Sequence, residues 1–167
     1  MENKPYLQLI FVTENKNDYS YISSTIKALY DCSKDIRLDN AEMKGKNNYD
    51  DGSVVKKIGD LKYGFEGESI VIYCYDTDDI FNRREDVKYE KKIIEYCNRN
   101  NYELVWFCRT IEEVFIGNSI NEDKEKVMKR YIRNNEVSSF VFDDSSTKHK
   151  RRTNLLAVVD KYCKRIK

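Results

Sequence analysis

The 167-residue sequence contains one proline, Pro5, so no Pro-rich linker divides it. It also lacks a CxxC pair. Its cysteines (Cys32, Cys74, Cys97, Cys108, Cys163) are odd in number, and Cys74 and Cys108 lie inside apolar runs as small hydrophobes do. No stretch approaches the roughly 18 apolar residues that a membrane span needs. Residues 1–5 are polar and form no secretory hydrophobic region. The expected setting is therefore the cytoplasm, with reduced thiols and no membrane partner. Neither sign of charge dominates: 30 Lys and Arg against 29 Asp and Glu leave a net charge of +1. Such a balance gives no overall attraction to nucleic acid or lipid, so any basic surface must be local. The absence of GxxxxGKS/T, GxSxG and HExxH argues against a P-loop NTPase, a usual α/β hydrolase and a zincin.

What is present suits one domain spanning 1–167, with hydrophobic residues at 40% and charged residues at 35%. Tyr6–Thr13 is a continuous apolar run of strand length, as expected of a strand covered on both faces. Asp18 to Tyr30 has helical spacing, Ile36–Met43 alternates imperfectly, and Ser53 is placed to cap a helix carrying Val54, Val55, Ile58 and Leu61. Ser69–Tyr75 is the strongest strand. A helix over Glu85–Asn100 and a strand at Tyr102–Cys108 follow. Further on come a half-polar segment at Ile111–Ile116, a charged helix at Asn121–Arg133, a short edge strand or extended loop at Ser138–Phe142 and a helix over Thr153–Ile166. Strands alternating with helices imply parallel βαβ units. The expected fold is α/β: a mostly parallel sheet of about four strands, flanked by helices on both faces, with a core over about 6–117 and a helical extension over about 121–167.

Two of the strongest strands end in acid, the first in Glu14 and the later one in Asp76 and Asp78. In open parallel sheets ligands bind beyond the carboxyl ends of the strands. Carboxylates gathered there raise one another's pKa and call for a cation. Hard oxygen donors suit Mg²⁺, Mn²⁺ or Ca²⁺ rather than zinc. On an extended segment, Asp-x-Asp spacing directs both side chains to one side.

The stretches FVTENKNDYSYISSTIKAL and VIYCYDTDD resemble the Toprim fold of topoisomerases, primases and related nucleases. The likeness is greatest to the Toprim-like nucleases of defence systems, the overcoming-lysogenisation-defect and RloB-like groups, and covers about residues 6–117. It implies a phosphodiester-cleaving enzyme using Mg²⁺ or Mn²⁺. Glu14, Asp18, Asp76 and Asp78 would be metal ligands. From the RTIEEVFIG stretch, Glu113 would be a further catalytic acid, with Glu112 beside it. Asn15 departs from the pattern, since the family commonly has glycine there. Asn tolerates positive φ better than most residues. The resemblance also implies nucleic acid, DNA or RNA, as partner, and a partner ATPase or self-association.

Lys148, His149, Lys150, Arg151 and Arg152 form the densest positive run, at the expected start of the last helix. They are candidate phosphate contacts, weighed against a solvated loop. His149 is a candidate acid or base by its intrinsic pKa, and otherwise one more member of that run. Arg83 and Arg84 follow the DxD closely but read as loop charges. Tyr73, Tyr75, Trp106 and Phe107 read as core. The leading expectation is a metal-dependent nuclease of phage defence or a mobile element. The alternative is a catalytically inactive Toprim-like protein that binds or regulates. A receiver- or flavodoxin-like domain ranks below both, because Glu14 stands alone after the first strand and no late lysine is well placed.

Overall fold

The computed structural model describes residues 6–32, 35–80, 82–117, 121–134 and 152–166. Strands β1 (Leu7–Thr13), β2 (Ile36–Glu42), β3 (Glu68–Asp76) and β4 (Glu103–Phe107) form one sheet of order β2-β1-β3-β4, every pairing parallel. Helices α1 (Lys16–Leu29), α2 (Gly52–Tyr63) and α3 (Arg84–Asn100) connect successive strands. The short α4 (Ile111–Ile116), then α5 (Lys124–Arg133) and α6 (Leu155–Val159), follow β4.

Alternation along the strands divides the core in two. Leu7, Leu9 and Phe11 of β1, Ile72 and Cys74 of β3, and Val105 and Phe107 of β4 face α1, α4, α5 and α6. Ile10, Val12, Val71, Tyr73, Tyr75 and Trp106 face α2 and α3. Both faces of the α/β sheet are thus covered, as the unbroken apolar runs predict.

Three local expectations need correction. The cap of α2 is Asp51, whose carboxylate accepts from the Ser53 N–H and hydroxyl; Ser53 lies inside the helix. Asp78 is not on an extended segment: β3 ends at Asp76, and Asp78 has φ 49°. The helix expected over Thr153–Ile166 is helical only at Leu155–Val159. Its first residues instead cover the outer edge of β4, whose amides need acceptors. Cys108 N–H donates to the Arg152 carbonyl (2.9 Å), Phe107 and Thr153 form an antiparallel bridge, and Trp106 N–H donates to Asn154 Oδ1 (2.8 Å). The edge strand or extended loop expected at Ser138–Phe142 lies outside the described residues. So do Lys148, His149, Lys150 and Arg151 of the basic run.

Candidate functional site

The chain runs from β1 outward to β2, then crosses back to β3 and on to β4. Strand order therefore reverses between β1 and β3, and the crevice beyond their carboxyl ends is where such sheets bind ligands. Glu14 leaves β1 and Asp76 closes β3 at that reversal.

The loops at this edge are pinned by hydrogen bonds. Beyond β1, Lys44 N–H donates to the Glu14 carbonyl (3.0 Å), and Thr13 Oγ1 donates to the Asn15 carbonyl (2.9 Å). Asn15 then caps α1: its Oδ1 accepts from the N–H groups of Asn17 (2.9 Å) and Asp18 (3.2 Å). The Asp18 carboxylate in turn takes hydrogen bonds from the Asn15 backbone and side chain, the reciprocal pattern of a capping box. Beyond β3, Asp78 N–H donates to the Arg109 carbonyl (2.9 Å), and Arg109 N–H donates to Thr77 Oγ1 (2.8 Å). Asp78 and Arg109 both have positive φ, 49° and 63°. The second aspartate of the DxD is thus held in a left-handed turn strapped to the exit of β4.

Five acids share the electrostatics of this crevice: Glu14, Asp18, Asp76, Asp78 and Glu112. Asp76 is half-buried, and its Oδ1 accepts from the Ile111 N–H at the start of α4 (2.9 Å). Burial first, then the charges of Asp18, Glu112, Asp78 and Glu14, push its carboxyl well above the usual range. Burial, Glu112 and Glu14 push Asp18 up to about 7. Glu14 is raised by burial and Asp78, with Lys46 and Lys124 opposing. Such mutual raising of neighbouring carboxyls is what a bound cation would relieve.

Lysines neutralise its rim. Lys46 Nζ lies 2.5 Å from Asp78 and 3.0 Å from Asp86, and sits 5.3 Å from the centroid of the Tyr89 ring. Lys124 Nζ lies 3.0 Å from Glu112. Burial would lower the Lys46 ammonium, but hydrogen bonds to Asp78 and Asp86 leave it raised. Among the described residues, no three carboxylate, imidazole or thiol groups stand in position to hold one ion. The donor chemistry, all hard oxygen around a half-buried and strongly raised Asp76, nevertheless fits Mg²⁺ or Mn²⁺.

The structure thus brings Glu14, Asp18, Asp76 and Asp78 to one edge. Of the adjacent glutamates on α4, the one whose charge acts on Glu14, Asp18 and Asp76 is Glu112. Glu113, expected from the sequence, is turned about 100° further round the helix and is buried, and its N–H donates to the cap residue Thr110 (3.2 Å). Arg152 is half-buried with its carbonyl committed to β4. Arg83 approaches Asp86 (3.7 Å) and Arg84 opens α3 exposed. Sequence reasoning missed Lys46, Asp86 and Lys124. Lys46 follows β2 at the carboxyl edge and could have been found by searching every strand end. Asp86 and Lys124 stand at the starts of helices and carry no such signal.

No family model matches the chain, and no curated protein matches it. Among solved structures it is similar to a de novo designed Rossmann fold protein at 11% identity, over 78% of this chain and 97% of that one, with a TM-score of 0.30. At that TM-score the likeness adds nothing to what the sheet order already shows.

Proposed function

We propose that this protein is a Toprim-like, divalent-metal-dependent phosphodiester-cleaving enzyme acting on nucleic acid. The observation that carries the reading is the half-buried Asp76 at the strand-order reversal, its carboxyl raised by four further carboxylates. Asp76 would be the first ligand of Mg²⁺ or Mn²⁺, joined by Glu14 and Asp78 once Asp78 leaves Lys46 and the carboxylates close on the ion, with Glu112 as the acid nearby on α4. When bound, the ion supplies a nucleophilic water at neutral pH and neutralises charge on the phosphoryl oxygens. Asp18 steadies the start of α1 through Asn15, and its ionised form raises Asp76 further. Lys46 and Lys124 exchange their carboxylate partners for backbone phosphates as substrate and cation enter. The exposed Arg109, on the strap beside Asp78, adds a further cation at the same rim. These contacts position a phosphate backbone and carry no base specificity.

The test is cleavage of DNA and of RNA with Mg²⁺ or Mn²⁺, comparing wild type with Asp76→Asn, which keeps the shape of the side chain. Loss of at least 100-fold in rate is expected on removing a ligand of this kind; equal rates sink the reading. A second reading, a non-catalytic binding or regulatory protein on the same scaffold, is favoured by the lysine pairs, which already satisfy Asp78, Asp86 and Glu112. Calorimetric titration with Mn²⁺ separates the two: heat of binding that Asp76→Asn abolishes supports the enzyme, and its absence supports the scaffold.

A further inference from the structure

The C-terminal segment returns to the end of α1 and pairs with it. Tyr30 and Arg165 form an antiparallel bridge. Ile166 N–H donates to the Leu29 carbonyl (2.8 Å) and Asp31 N–H to the Lys164 carbonyl (3.5 Å). Those two bonds flank the Tyr30–Arg165 pair, which marks it as the non-hydrogen-bonded type, where facing side chains come closest. Just beyond the Asp31–Lys164 bond, Cys32 and Cys163 lie on the two facing segments, near enough for the charge of Cys32 to act on the Cys163 thiol. Residues paired across antiparallel chains, as Tyr30 and Arg165 are, have Cα atoms about 4.5–5.5 Å apart, and a disulfide spans about 4.4–6.8 Å, so residues flanking such a bridge come within reach of one. Both thiols are free. Cys32 is half-buried and opens on a groove of about 570 Å³ that Lys27, Ile36 and Ile166 also line. Cys163 is only 8% exposed and packs in the core on this side of the sheet. Cys74, Cys97 and Cys108 are each at most 4% exposed, less than Cys163.

We propose that Cys32 and Cys163 are a redox modification site, a vicinal dithiol across the last antiparallel pairing that closes to an intrachain disulfide. Cys32, the accessible member, reacts first with a small disulfide such as oxidised glutathione. Its thiolate attacks one sulfur, forms a mixed disulfide and releases one glutathione thiolate, which takes up a proton. The Cys163 thiolate then attacks the Cys32 sulfur and expels the second glutathione. Two protein thiols are oxidised, one glutathione disulfide is reduced, and two protons pass to the departing thiolates. Burial holds both thiols above their ordinary range, with Asp31 adding to the effect at Cys32 and Lys27 opposing it. The product ties the C-terminal end to α1 and closes a loop over most of the chain. This site is independent of the acidic crevice, and its fate says nothing about nuclease activity.

The experiment incubates the folded full-length chain with oxidised glutathione at pH 8.5, alkylates the remaining thiols, and maps peptides by mass spectrometry. A Cys32–Cys163 linked peptide is expected, with no lasting glutathione on Cys32 and full reversal by a reductant. The oxidised protein should melt roughly 5 °C or more above the reduced one. Cys163→Ser should trap glutathione on Cys32, and Cys32→Ser should yield neither product. Stable glutathionylation of Cys32 in the wild-type protein, a link to any other cysteine, or no modification of Cys32 overturns the proposal. The wild-type peptide map decides the matter even if a variant does not fold.

Discussion

Asn15 has φ −147°, ordinary extended backbone that any residue adopts. The glycine that the Toprim likeness led one to look for is therefore not needed for conformation here. What the position supplies instead is a cap: Asn15→Ala should cost about 1 kcal/mol of stability and Asn15→Gly only a few tenths, measured by urea unfolding. Asp18 is tied to the same cap and has a distinct pH signature. Its folded pKa lies near 7, above its ordinary value of 3.8, so the folded state holds the proton more tightly than the unfolded one. Its favourable contribution is then fully present below about pH 4 and is lost as pH rises toward 7. Unfolding of the chelated protein across that window should show a fall in stability that Asp18→Asn flattens, making the variant more stable than wild type at pH 8. An unchanged slope would show that Asp18 is not protonated in the folded state.

At the scale of elements, the outer edge of β4 is finished by side chain and backbone from far along the chain. Asn154 accepts from the Trp106 N–H and donates to the Leu104 carbonyl (3.0 Å). Asn154→Leu strips both partners from a half-buried edge and should cost about 1–3 kcal/mol by denaturant titration. Gly67 offers a second case. A Cβ there would lie 2.3 Å from the Tyr6 carbonyl oxygen and 2.6 Å from the Phe65 ring, so the entry of β3 passes too close to the chain before β1 for any side chain. Gly67→Ala should destabilise by about 1–3 kcal/mol, seen as a lower urea midpoint. The sequence showed Gly67 only as punctuation before a strand. The close approach that explains it exists only once β1 and β3 are paired.

At the scale of the whole molecule, the acidic crevice sets stability against function. Without a divalent ion, Asp76→Asn removes a carboxyl whose ionised form four further acids oppose, and thermal unfolding should show the variant as stable as wild type or more so. With Mn²⁺ at about 100 times its dissociation constant, the wild type should gain about 2.7 kcal/mol, and the variant should not. A variant that gains as much would place the ion elsewhere. Among the described residues no helix is long and apolar enough to cross a membrane, in keeping with the short apolar runs of the sequence.

The α/β alternation, the strands of the sheet and the acids at the ends of β1 and β3 were legible in the sequence. Each rests on local physics: apolar runs of strand length, helical spacing, and polar residues where a run stops. The pairing of Asp78 and Asp86 through Lys46, the choice of Glu112 over Glu113, the left-handed turn at Asp78 and the strap over β4 were not. Those depend on which loops meet at the reversal of strand order and on how a short helix is rotated against them. Periodicity along a chain fixes which face of an element is buried. It carries no information about contacts between residues separated by thirty or more positions, and only packing of the sheet decided those.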